Sequence, residues 1–345
     1  MRLRWREGIE AQEKGRPRSP CPRSGRARPG HGRRHHRGMR SVQRTHTGQA
    51  ARPRLLIVDA HAYAYRAFHA IPARLRAPSG EPTHALYGFI RILGKLIQRH
   101  QPTHLAVIWD GGLAAQRVEA MPDYKTNRPP MPESLDRQIT LMQTYLEAAR
   151  IPSFCQEGVE ADDWIATLAQ QAAEAGFEVI IASGDKDFMQ LVGPRIGLVN
   201  PLDKTERVWT EADVRAKTGL APEQIVDWLS LIGDKVDNIP GVPGVGPGRA
   251  TALLQRFGSI DELYARLEEV PSARLRESLR AAEPEVRRNR ELIRLHPVEV
   301  PVDLDALKCQ PPDRARLGEL FRQWGFASLA AELERAQAPA QPTLL

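Results

Sequence analysis

From Arg54 onward, short apolar runs alternate with longer stretches in which apolar side chains return every third or fourth position. Arg54-Leu-Leu-Ile-Val-Asp59 is too short for a helix and ends in an acid, the pattern of a buried strand. Leu105-Ala-Val-Ile-Trp-Asp110 repeats it after a segment, about 83–99, in which Leu86, Phe89, Ile90, Leu93 and Ile97 recur at helical spacing. Glu178-Val-Ile-Ile-Ala-Ser-Gly-Asp185 repeats it again after a second helical segment, 162–175. Strands alternating with helices predict an α/β fold, a mostly parallel central sheet with helices on both faces. Ligands of such sheets bind beyond the carboxyl ends of the strands, and Asp59, Asp110 and Asp185 fall there.

Further acids join these three. Gly158-Val-Glu-Ala-Asp-Asp163 opens a helix with Glu160 and Asp163 on one face and Asp162 beside them. Asp187 follows Asp185 by two positions, and Gly233-Asp-Lys-Val-Asp-Asn238 spaces Asp234 and Asp237 three apart. Singly, an acid at a helix start is an ordinary cap and an acid after a strand an ordinary turn residue. Together, nine carboxylates drawn to one region repel and require protonation or a cation. Oxygen-only ligands favour Mg2+ or Mn2+ over zinc. Two such ions about 3.5–4 Å apart suit phosphoryl chemistry, one activating water and the other stabilising the leaving oxygen.

Charge alters the picture only after it is divided along the chain. The net +7 of the 345 residues is the sum of +13 in residues 1–54 and −6 in residues 55–345. The tail, with runs such as Arg33-Arg-His-His-Arg, lacks apolar periodicity and is expected not to order itself. It reads as a DNA-gripping arm, an organelle transit sequence, or an upstream extension before a start at Met39. Cys21, Cys155 and Cys309 form no CxxC pair, so no zinc knuckle or disulfide framework is indicated. With no long apolar run or signal-like N-terminus, the expectation is a protein of the reducing cytoplasm, away from membranes.

Two stretches look built for nucleic acid. Residues 111–132 mix glycine, proline and cations and read as a mobile loop or short helical arch between two sheet strands. There Arg117, Lys125 and Arg128 are candidates to face a phosphodiester, and the Tyr124 ring to stack on an unpaired base. Gly241-Val-Pro-Gly-Val-Gly246, followed by a helix at about 249–257, lets backbone approach a ligand and aims N–H groups at phosphate. Such contacts carry no base code, so recognition is expected to depend on structure.

On these residues the chain, from Leu55 to about Ala330, resembles the 5′-nuclease family. That family comprises the exonuclease domain of bacterial DNA polymerase I, phage 5′-nucleases and flap endonucleases. The matching strings are Val58-Asp-Ala-His-Ala-Tyr-Ala-Tyr-Arg-Ala-Phe-His-Ala70, Asp123-Tyr-Lys-Thr-Asn-Arg-Pro-Pro-Met-Pro132, Gly158 to Asp163, Gly184-Asp-Lys-Asp187 and Gly233 to Gly246. The resemblance implies a PIN-like α/β nuclease domain (54–222) with an arch, then a helical DNA-binding region (223–333) containing a helix-hairpin-helix-like motif, then a flexible tail (334–345). It implies a first metal group of Asp59, Asp110, Glu160, Asp162 and Asp163 and a second of Asp185, Asp187, Asp234 and Asp237, holding two or three ions. Lys125, Arg128 and Arg66 would form the basic set at the scissile phosphate. Gly241, Gly244, Gly246 and Arg249 would grip duplex DNA with a monovalent cation such as K+.

Two departures stand out. The family's Thr-Phe-Arg is Ala115-Gln116-Arg117 here, and its Gly-Glu-Lys-Thr-Ala is Gly246-Pro-Gly-Arg-Ala250, with Arg249 a candidate substitute for the lysine. The expected function is a Mg2+-dependent 5′–3′ exonuclease and 5′-flap endonuclease of primer removal and repair. Its partners would be DNA with free 5′ ends, flaps or junctions, RNA primers, and a polymerase on a separate chain. A small-molecule metal-dependent phosphatase and a non-catalytic structure-specific DNA-binding protein are the competing expectations.

Overall fold

A computed structural model describes residues 52–335 except Leu202, Lys204 and Glu206. Met39 and nearly all of the two expected tails, 1–53 and 334–345, lie outside the described residues. The sheet strands are β1 (Arg54–Asp59), β2 (His104–Trp109), β3 (Ser153–Cys155), β4 (Glu178–Ala182) and β5 (Ile196–Val199). They lie in the order β3-β2-β1-β4-β5, and every pairing is parallel. The chain therefore builds outward from β1 to one side through β2 and β3, then returns to build β4 and β5 on the other. That reversal opens a crevice beyond the carboxyl ends of β1 and β4, the position at which such sheets take their ligands.

The helices are α1 (Ala60–Ala70), α2 (His84–His100), α3 (Ala115–Ala120), α4 (Glu133–Ala148), α5 (Ala161–Glu174) and α6 (Glu211–Thr218). After these come α7 (Ile225–Ile232), α8 (Pro247–Phe257), α9 (Ile260–Ala265), α10 (Ala273–Ala281), α11 (Glu283–Ile293), α12 (Arg314–Gln323) and α13 (Ala327–Arg335). Strand alternation sorts the core. Leu56 and Val58 of β1 face α1, α2 and α4, whereas Leu55 and Ile57 face α5 and the helices behind it. The period-3.6 apolar stripe of α2 buries Leu86, Phe89, Ile90, Leu93 and Leu96, and the helix stops at Gln101 in a left-handed conformation (φ 46°).

A third core joins α7 to α11 through residues such as Leu231, Leu253, Leu254, Phe257 and Leu279. Its border differs from the expected helical region 223–333. Leu292, Ile293, Val300 and Leu307 pack into the α5 side of the sheet, and Leu317, Leu320, Phe321 and Trp324 into the α2 and α4 side. By packing, the chain from Leu292 onward belongs to the nuclease body, because α12 and α13 are amphipathic and find their apolar partners on α2 and α4. The edge strands β3 and β5 are three and four residues long, too short for the sequence pattern to reveal.

Candidate active site

The acids at the strand ends are fixed by local backbone geometry. Asp59 ends β1 and caps α1, its Oδ1 accepting from the Ala62 N–H at 3.1 Å. Its Oδ2 accepts from Ser183 Oγ at 2.8 Å, and that hydroxyl also accepts from the Asp185 N–H at 3.1 Å. Ser183 thus ties the ends of β1 and β4 together. Asp110 follows β2; its N–H donates to His61 Nδ1 at 3.1 Å and its Oδ1 accepts from Gly112 N–H at 2.8 Å. The next residue must be glycine: a Cβ on Gly111 would lie 1.7 Å from the Gln156 carbonyl oxygen. Asp185 caps the short turn Lys186–Leu191 by accepting from the Asp187 N–H at 2.9 Å.

Electrostatics link these carboxylates to one another. Burial, then the charges of Asp185, Asp59 and Asp110, push Asp162 well above the usual carboxylate range. Burial and the charge of Asp185 do the same to Asp187, with Asp234 and Asp237 adding to it. Burial raises Asp59 too, against the hydrogen bonds from Ala62 and Ser183. Asp185 therefore stands between two acidic groups, one with Asp59, Asp110 and Asp162 and one with Asp187, Asp234 and Asp237.

Side-chain cations occupy the remaining acids. Lys125 Nζ lies 2.5 Å from Glu160 Oε2, Arg128 pairs with Asp237, and Lys186 with Asp234. Arg117 grips Asp163 through both guanidinium nitrogens, at 2.6 and 2.8 Å. Although burial opposes charge on Glu160, Lys125 and Arg117 hold its carboxyl below the ordinary range. The turn 121–128 is itself pinned to the 234–238 turn. Lys125 N–H donates to the Asp237 carbonyl at 3.1 Å, Asn127 Nδ2 to Lys235 O at 2.7 Å, and Asn238 Nδ2 to Asp123 O at 2.9 Å.

Two expectations are corrected here. Arg117 is 5% exposed and faces Asp163 and the backbone of Leu292 and Arg294, so it does not face a phosphodiester. Tyr124 is 3% exposed, with its hydroxyl 3.2 Å from Glu160 Oε2, so its ring offers no face to a base. Buried acids attract these polar side chains inward, and a charged stretch of sequence does not reveal that. Asp163, expected in the first metal group, has both oxygens engaged by Arg117 and its Oδ1 also by the His296 N–H at 2.8 Å. Arg66 is half-buried on α1 and lines a cleft of about 200 Å³ with Tyr63, Lys95 and Pro201, outside the paired acid cluster. Ser183, His61 and Lys186 belong to the site and were not expected. Their signal was adjacency to a strand-end acid.

The glycine hairpin joins α7 to α8. A Cβ on Gly241 would lie 2.2 Å from the Ile232 carbonyl oxygen, Gly244 has φ +80°, and Gly246 caps α8 ahead of Pro247. Arg249 is exposed and donates to the Gly244 carbonyl, closing the hairpin on itself.

The donor set suits hard divalent cations. Asp59, Asp110, Asp162 and Asp185 have no ion-pair partner among the described residues. Asp187 Oδ1 is buried without a hydrogen-bond partner, the Lys186 ammonium being 4.0 Å away. No three carboxylates among the described residues close into a finished cage, and lysine and arginine take Glu160, Asp163, Asp234 and Asp237.

Residues 54–219 match the family model described as the 5′-3′ exonuclease N-terminal resolvase-like domain, and residues 220–315 the 5′-3′ exonuclease C-terminal SAM fold. The chain is 36% identical over 282 residues to a 5′-3′ exonuclease of Aquifex aeolicus (strain VF5), covering 81% of this chain and 95% of that protein. It is 39% identical over 290 residues to DNA polymerase I of Bacillus caldotenax, covering 81% of this chain and 32% of the polymerase. Hence the chain spans about a third of the length of its polymerase relatives. In fold it is similar to the flap endonuclease of bacteriophage T5 in a pseudo-enzyme-product complex with DNA and metal ions. The TM-score is 0.56 at 21% identity, over 82% of this chain and 97% of that one. The chain belongs to the 5′–3′ exonuclease family, whose members are nucleases.

Proposed function

We propose that the chain is a Mg2+- or Mn2+-dependent 5′–3′ exonuclease and 5′-flap endonuclease that hydrolyses DNA phosphodiester bonds. The observation that carries this reading is the convergence of Asp59, Asp110, Asp162, Asp185 and Asp187 at the β1–β4 crevice, with Asp162 and Asp187 held above their ordinary range. Asp59, Asp110, Glu160 and Asp162 would hold one ion; Asp187, Asp234 and Asp237 would hold a second, with Asp185 serving both, and a third ion fits the number of acids. When bound, such ions supply Lewis-acid activation of water and charge stabilisation at the leaving oxygen.

The chain's own residues do the rest. Arg128, 41% exposed on Asp237, would offer an arriving phosphate a cation at the edge of the crevice, and Lys125, 4% exposed on Glu160, would join it only where that pair opens. Arg66 would contact phosphate further along α1. The glycine hairpin at Gly241, Gly244 and Gly246, with Arg249 and a K+ ion, would grip duplex backbone without reading bases. DNA with free 5′ ends, flaps or junctions is the substrate class, with RNA primers included and a polymerase on a separate chain as partner. Primer removal and repair follow from that class. A cytoplasmic setting accords with Cys155 and Cys309, which form no disulfide among the described residues, and no described helix is long and apolar enough to cross a membrane.

The test is an end-labelled panel of flap, nicked-duplex and RNA–DNA substrates with Mg2+, Mn2+ or EDTA. Cleavage one or a few nucleotides from a 5′ end or at a flap base, abolished by EDTA, is expected. Flap binding without product in either metal would overturn the catalytic reading. Turnover of a chromogenic phosphomonoester with DNA left intact would replace it by a phosphatase.

A further inference from the structure

We infer that Asp163 serves the protein and not the metal, and that with Arg117 it forms the joint holding the arch base in register with the acid-bearing helix. This rests on the metal-dependent nuclease reading above. Helix α3 has one buried side chain, and it is Arg117. Neighbouring Leu113 and Val118 are 46% and 37% exposed and belong to none of the three cores. Where the family pattern has an aromatic, Gln116 stands exposed beside a cleft of about 430 Å³ lined also by Ala120, Val159, Leu292 and Val298. With the aromatic lost and the arginine kept, the guanidinium is left as the buried fastening of this helix.

Every direction of the Arg117 fork is used. Nε donates to the Leu292 carbonyl at 2.9 Å, Nη1 and Nη2 to Asp163, and Nη2 also to the Arg294 carbonyl at 3.0 Å. The same stitching continues through Asp163. Its Oδ1 accepts from His296 N–H at 2.8 Å, its carbonyl from Thr167 Oγ1 at 2.8 Å, and that hydroxyl from Val298 N–H at 3.1 Å. Three segments distant in sequence therefore meet at one planar, bidentate pair: α3, the start of α5, and the chain leaving α11. Glu160, Asp234 and Asp237 each meet their nearest cation through one oxygen. Both oxygens of Asp163 are instead held by one buried guanidinium, and Oδ1 also by the His296 N–H, which leaves Asp163 the least capacity of the four for a metal ion. Asp162 beside it has no ion-pair partner among the described residues. Arg117 is then a positioning residue: it fixes the base from which Lys125 and Arg128 reach the crevice.

The test compares full-length wild type with Asp162→Asn, Asp163→Asn and Arg117→Lys. Mn2+ binding is counted by electron paramagnetic resonance, amide exchange is followed across residues 115–120 and 296–298, and kcat and KM are measured on a 5′-flap. Asp163→Asn and Arg117→Lys are expected to keep the wild-type number of Mn2+ ions while exchange rises at both segments. Their kcat should fall about tenfold to a hundredfold, as for a small misplacement of reacting groups, with KM changed less than about threefold. Asp162→Asn is expected to lose bound Mn2+ with exchange unchanged. Loss of Mn2+ from Asp163→Asn to the Asp162→Asn level would overturn the inference, as would unchanged exchange in Arg117→Lys, which leaves every carboxylate in place. Failure of the nuclease reading itself is separate: wild type would then cleave no flap in any metal.

Discussion

Replacing Lys125 by alanine removes the cation from the most enclosed acid of the site. The two side chains are 4% and 1% exposed, so solvent screening is slight, and Nζ lies 2.5 Å from Glu160 Oε2. At an effective dielectric of about 20, unit charges at that separation attract by roughly 7 kcal/mol. Desolvation offsets much of this, and breaking one partner of a buried pair costs about 3–5 kcal/mol. Arg117 Nη1, 3.5 Å from Glu160 Oε1, remains as a second cation, which sets the expectation near the lower end, about 3 kcal/mol. For a body of this size that is a fall in Tm of about 6–12 °C. Lys125 also has φ 57°, so Lys125→Gly removes a Cβ from the left-handed region and should melt higher than Lys125→Ala by about 1 kcal/mol. Thermal and urea melts in EDTA measure both. A Lys125→Ala melt within about 2 °C of wild type, or a glycine variant no better than the alanine one, would refute the reasoning.

Four further outcomes follow from the packing. Burial, aided by the charge of Arg76, holds His84 below the ordinary imidazole value of 6.5. Because the folded value lies below the unfolded one, the stability from His84 is complete above about pH 6.5 and is lost as pH falls below it. Urea midpoints at pH 8 and 5 should differ less in His84→Gln than in wild type, and equal differences would contradict this. Gly241→Ala drives a Cβ to 2.2 Å from the Ile232 carbonyl and should cost about 1–3 kcal/mol in denaturant melts. Gly246→Ala, with nothing within 4 Å of its Cβ but standing at the cap of α8, should cost less, at most about 1 kcal/mol. Gln116→Phe should cover the cleft beside α3 and raise stability by about 1 kcal/mol, read as a higher melting temperature.

Much of this arrangement was legible because strands ending in acids carry both halves of the information. The runs to Asp59, Asp110 and Asp185 fix which segments enter the sheet and which ends carry charge. Their alternation with helices fixes the layers. The helix at about 83–99 appears as α2 (His84–His100) because its apolar stripe is long and regular. Arg117 and Tyr124 were misplaced for the opposite reason. Nothing within a few residues buries them; their partners, Asp163 and Glu160, lie 46 and 36 positions away. The return of α12 and α13 to the sheet likewise depends on tertiary partners, since an amphipathic stripe states that a face is buried and not against what.

Cleavage of a 5′-flap DNA by wild type and by Asp185→Ala, each with Mg2+ and with EDTA, bears most directly on the acid-rich crevice. Asp185 stands between the two acidic groups, so its loss should reduce the metal-dependent rate by about a hundredfold to a thousandfold, equivalent to several kcal/mol of charge stabilisation. The fold should be retained by circular dichroism. Undiminished cleavage by Asp185→Ala, or wild-type cleavage that survives EDTA, would contradict the account.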